Sequence, residues 1–94
     1  MIQKVVAYKD VKLGVFSNPF YLGNTTKEDI IENIRRMCAN PQTPSVYFEY
    51  DLYYLGEFDD KVGSFKCEAP EFLVSLGDFK HLRSAEEVKV DVVS

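Results

Sequence analysis

The stretch Val46-Tyr47-Phe48-Glu49-Tyr50-Asp51-Leu52-Tyr53-Tyr54-Leu55-Gly56 decides how this chain folds. Phe48, Tyr50, Leu52 and Tyr54 recur at every second position, the period of a strand, with Glu49, Asp51, Tyr53 and Leu55 between them. One face of that strand therefore belongs to a core. Just downstream, Phe58-Asp59-Asp60-Lys61-Val62-Gly63 has the Asp and Gly of a hairpin loop, which predicts a return through residues 64–68.

Working back from this hairpin, Pro41 and Pro44 mark a loop, and Asn40-Pro41 ends an amphipathic helix over residues 26–40. Ile30, Ile31, Ile34, Met37 and Cys38 form one apolar stripe at helical spacing, which requires a flat surface to pack on. Thr25 and Glu28 have the spacing of a capping box, and Asp29 and Glu32 early with Arg35 and Arg36 late suit the helix dipole. At the start of the chain, residues 3–9 alternate Val5 and Ala7 with Val6 and Tyr8. Asp10 and Gly14 supply a turn, so residues 15–21 are expected to return antiparallel, with Pro19 at an edge or beyond the pairing.

Beyond Pro70, residues 72–79 are apolar enough to dock on the body, as a short helix or as irregular chain. Residues 84–94 alternate Val88, Val90 and Val92 with charges, as an edge strand or a terminal tail would. The expected fold is α+β: a small antiparallel sheet of about four strands, built from two β-hairpins, with one amphipathic helix packed on one face. Residues 1–79 make a single domain and residues 80–94 a C-terminal extension.

Length and composition bound what such a domain does. Its 94 residues form one domain, and a chain of this size buries only about 60–65% of its unfolded surface, which leaves little room for a deep catalytic cleft. The longest apolar runs are a few residues, and Met1-Ile2-Gln3-Lys4-Val5-Val6-Ala7-Tyr8-Lys9-Asp10 has no signal-peptide block, so a cytoplasmic protein without a membrane span is expected. Cys38 and Cys67 are too few for a disulfide scaffold or zinc knuckle, and both are expected to be small buried apolar residues. His81 has no second His with which to share a metal, and Asp59-Asp60 fits a hairpin tip better than a metal loop. The chain has no glycine-rich phosphate loop, nucleophile elbow or evident Cys/His pair, so neither an enzyme nor a cofactor is expected.

The formal charge is −4, divided unevenly: six basic against four acidic residues in 1–47, and five against eleven in 48–94. That balance opposes general nucleic-acid binding, which draws on cations that displace phosphate counterions. The aromatic content favours a binding surface of some kind. Six Tyr and seven Phe are 14% of the chain, and Tyr47, Phe48, Tyr50, Tyr53 and Tyr54 crowd into the central strand. One helix hides only one face of a sheet, and the other must meet water, a second copy or a ligand. Two readings follow. Tyr47, Tyr50, Tyr53 and Tyr54 form a protein interface, first of all in a homodimer through the open sheet face or an edge strand. Alternatively, they stack single-stranded bases while Lys9, Lys12, Arg35 and Arg36 track phosphates, against the repulsion of Glu49, Asp51 and Glu57. A structural or host-interaction module is a third class.

The order of motifs also resembles a known family. Residues 6–16, Asn18-Pro19-Phe20, the helix, residues 40–44 and Asp51-Leu52-Tyr53-Tyr54-Leu55-Gly56-Glu57-Phe58-Asp59-Asp60 with Gly63 resemble the non-structural protein of gokushovirus-type microviruses, small phages with single-stranded DNA. The resemblance spans roughly residues 4–77. Its most specific part is the string at 51–60, where the family reads Asp, Leu, an aromatic, two variable positions, Gly, a variable position and Phe-Asp-Asp. It implies a non-virion accessory protein in the host cytoplasm, in part grouped with microvirus protein C, which acts where synthesis of single-stranded genomes is coupled to packaging. The implied partners are the replication initiator or the procapsid, with single-stranded DNA as an alternative. The resemblance brings no catalytic residues and no ligand site.

Overall fold

A computed structural model describes residues 1–82. It contains strands β1 (Ile2–Asp10) and β2 (Phe20–Tyr21), helix α1 (Lys27–Ala39), strands β3 (Tyr50–Asp59) and β4 (Ser64–Ser75), and 3-10 turns at Ser45–Glu49 and Leu76–Phe79. The strands form one antiparallel sheet in the order β2-β1-β3-β4, with α1 on one face, which is the α+β arrangement expected.

The core lies between helix and sheet. Ile30, Ile34 and Cys38 of α1 meet Val6, Leu52 and Tyr54 of the two central strands, and Leu76 closes the end of the layer. Three of the five apolar positions of the helical stripe are buried, and Ile31 and Met37 lie at its margins. The helix begins one residue later than its capping box predicts. Thr26, in extended conformation, accepts a hydrogen bond through Oγ1 from the amide of Asp29 at 3.1 Å. Thr25 lies in the turn before the cap, where its amide donates to the Gly23 carbonyl at 3.2 Å.

Several boundaries differ from expectation for local reasons. Residues 15–21 do not return as one strand. Lys9 bridges Phe16, Asn18-Pro19 interrupts the pairing, and only Phe20–Tyr21 rejoin β1. The central strand starts at Tyr50, since Ser45–Glu49 winds into a 3-10 turn after Pro44. In the other direction, β4 runs past the predicted end at residue 68 to Ser75, carrying Pro70. Proline is tolerated there because β4 is an edge strand and the pairing skips from Tyr54↔Glu71 to Gly56↔Cys67, leaving residues 68–70 in a bulge opposite Leu55. Residues 72–79 thus divide into strand and 3-10 turn. The expectations for residues 84–94 lie outside the described residues.

A second bulge sets the faces of the sheet. Along β1, Val5 pairs with Gly56 but Val6 with Tyr54, so Leu55 is an extra residue. Side chains on β3 before Leu55 keep simple alternation, with Leu52 and Tyr54 toward the helix and Tyr53 away from it. Beyond Leu55 the parity reverses, and Phe58 joins Tyr53 on the face without a helix.

Candidate interaction face

The helix-free face carries two groups of aromatic rings, a row that crosses the strands and a triangle. The first is Phe16–Tyr53–Phe72, with neighbouring centroids 5.3 and 5.7 Å apart and rings nearly perpendicular. The second is a triangle of Tyr21, Phe58 and Phe65, with centroids 5.5, 6.1 and 6.4 Å apart. Cross-strand registers produce both groups, because Tyr53 pairs with Phe72 and Phe58 with Phe65 in the β3–β4 hairpin. Beneath the rings, Val5 and Ala7 of β1 are fully buried although no helix covers them. Phe16, Tyr21, Phe65 and Phe72 stay 39–51% exposed.

Two residues of opposite charge stand side by side on this face. Lys9 and Asp51 are register partners across β1 and β3. The Lys9 ammonium stands 5.4 Å from the Phe16 ring centroid and 5.6 Å from that of Tyr53, a cation held over two aromatic faces. The surface is therefore apolar, aromatic and balanced in charge.

The sequence-predicted site residues divide among three places. Tyr53 and Lys9 lie together on the open face. Tyr47 and Tyr50 sit on the helix side, packed against Tyr8 at 5.8 and 5.7 Å. These three rings, with Leu13, Val15, Pro44 and Val46, line an open pocket of about 500 Å³ between the first turn and the Ser45–Glu49 segment. Burial there, with Tyr47 and Cys38 adding to it, raises the Tyr8 hydroxyl to a pKa of about 12. Tyr54 is not a surface residue: it is 3% exposed in the core, and burial, with Glu57 secondary, raises its pKa. Its ring faces the Lys27 ammonium at 4.5 Å, and Lys27 pairs with Glu71 at 2.8 Å.

The remaining cations do not join Lys9. Lys12 pairs with Glu49 at 2.9 Å, which raises its pKa, and Arg35 and Arg36 both engage Glu32 on α1, across the sheet from the aromatic face. The expected phosphate track is thus split between two sides of the molecule. Cys38 is buried as expected, whereas Cys67 is exposed on the edge strand β4. The rings that sequence reasoning missed are Phe16, Tyr21, Phe58, Phe65 and Phe72. Their signal was aromatic content on both sides of each turn, and only register could align it.

Among the described residues, no helix is long and apolar enough to cross a membrane. Residues 3–79 match a family model described as Phage ORF5 protein. No curated protein and no solved structure matches the chain.

Proposed function

The chain belongs to the Phage ORF5 protein family, and on that premise we propose that it is a non-enzymatic accessory protein acting in the host cytoplasm, in replication or packaging of a single-stranded DNA phage genome, by binding protein partners. The gokushovirus placement rests on the string Asp51 to Asp60, and the implied partners are the replication initiator or the procapsid. The observation that carries protein binding is the open sheet face. Six rings with one cation and one anion have the composition of an interface core, depleted in charge and rich in Tyr and Phe. In an acidic protein whose candidate cations Lys12, Arg35 and Arg36 are paired with carboxylates and set apart from Lys9, there is little local charge with which to hold phosphates.

One contact favours a second reading. Lys9 over Phe16 and Tyr53 combines a cation with stacking rings, the elements by which proteins hold single-stranded bases. A single titration separates the two readings. The chain is added to a labelled single-stranded oligonucleotide at low and physiological salt, and separately to purified initiator or procapsid protein from the same phage. The proposal expects no salt-sensitive DNA binding and a protein complex weakened by Phe72→Glu. DNA binding that falls steeply with salt and is lost in Tyr53→Ala and Lys9→Ala would replace it with the single-strand reading.

A further inference from the structure

The open face is complementary to itself. Lys9 and Asp51 lie opposite each other on the two central strands, and an axis drawn along the boundary between β1 and β3 has one on each side. Phe16 lies toward the β2 edge and Phe72 toward the β4 edge, so the same axis separates the exposed ends of that row, while Tyr21 of β2 and Phe65 of β4 touch each other at 6.4 Å. We propose that a second copy of this chain covers this face, related by a two-fold axis between the two sheets that runs along the β1–β3 boundary. This rests on the reading of the face as a protein-binding surface and makes a second copy its occupant, so that initiator or procapsid meets the dimer through other surfaces and feels Phe72→Glu only through loss of the dimer.

A two-fold axis placed there sets β1 over the partner's β3 and β2 over the partner's β4, with strands aligned as in a β-sandwich. Lys9 of each chain then faces Asp51 of the other, Phe16 comes to the Phe72 end of its partner's row, and the two Tyr21–Phe58–Phe65 triangles meet. The four rings that remain 39–51% exposed all enter the contact. The area is sufficient. The four strands hold 9, 2, 10 and 12 residues, and at about 3.3 Å along each strand and about 4.8 Å between strands the face projects roughly 500 Å² before side-chain relief is added. A standard interface needs about 800 Å² per partner, and relief brings the face close to that size. The second copy also shares the charge balance of the face, whereas a polyanion would meet Asp51 as well as Lys9.

The test is intermolecular charge exchange, read by sedimentation equilibrium on the full chain. The unaltered chain is expected at twice 10.8 kDa in the micromolar range. Lys9→Asp gives each face two anions and Asp51→Lys gives each two cations, so each variant alone should associate on the order of tenfold more weakly. An equimolar mixture of the two should recover the two-chain mass, which no effect within one chain produces. Phe72→Glu, with an unchanged far-ultraviolet circular dichroism spectrum, should be monomeric. A single-chain mass throughout the micromolar range, or a dimer indifferent to these substitutions and to mixing, overturns the proposal. A monomer whose binding to purified initiator is still lost in Phe72→Glu overturns the dimer and leaves the protein-binding reading standing. A dimer that passes the mixing test while initiator and procapsid ignore it upholds the dimer and removes those partners.

Discussion

A Cβ placed on Gly56 would stand 2.0 Å from the carbonyl oxygen of Lys66, on the neighbouring strand. Gly56 follows the Leu55 bulge with φ of +147°, where the β3 and β4 backbones approach too closely for any side chain. Gly56→Ala therefore combines left-handed strain with a backbone clash and should destabilise the fold by about 3 kcal/mol or more. Gly63 supplies the control: it has φ of +70° with nothing within 4 Å, and Gly63→Ala should cost only about 1 kcal/mol. Urea denaturation of both variants gives the comparison, and equal losses would contradict the bulge.

The position of the helix cap makes a second comparison. Thr26 accepts from the Asp29 amide, while the side chain of Thr25 makes no such bond. Thr26→Ala is expected to lower stability by about 1 kcal/mol, and Thr25→Ala by a few tenths at most. Thermal or urea unfolding that ranks the two in the reverse order would restore the capping box read from the sequence.

The cysteines should differ in reactivity. Cys38 is fully buried, and desolvation raises its pKa, so its reactive thiolate is suppressed; Cys67 is exposed. A thiol-specific reagent should label Cys67 at once in the folded protein and reach Cys38 only as the chain unfolds, with Cys67→Ser abolishing the fast phase. Two fast thiols would contradict the packing of α1 on the sheet.

Tyr8 gives the fold a sensitivity to alkali. Its pKa is raised to about 12 by burial and by Tyr47 and Cys38, above the ordinary tyrosine value near 10. A raised pKa means that the unfolded chain loses this proton first. The stabilising contribution is therefore complete below about pH 10 and is lost as pH rises toward about 12. The urea midpoint should fall across that window, and Tyr8→Phe should flatten the fall while leaving neutral-pH behaviour close to the original. An unchanged slope in Tyr8→Phe would show that the ring ionises as freely folded as unfolded.

Local patterns in the sequence determined the elements and their class: the two-residue alternation through Leu52 and Tyr54, the stripe Ile30, Ile34 and Cys38, and the turns at Gly14 and Gly63. Each depends on residues within one or two turns of one another, where propensity and amphipathic spacing act directly. The face on which the aromatics meet was decided elsewhere. The Leu55 bulge reverses the parity of β3, turning Phe58 toward Tyr21 and Phe65, and a matching skip at residues 68–70 lets β4 continue through Pro70 to deliver Phe72 to Tyr53. Tertiary packing likewise buried Tyr54, gathered Tyr47 and Tyr50 around Tyr8, and parted Lys9 from Arg35 and Arg36 across the sheet. A one-residue slip in pairing moves every later side chain to the opposite face, and that slip is a property of two strands together, which no single stretch of sequence contains.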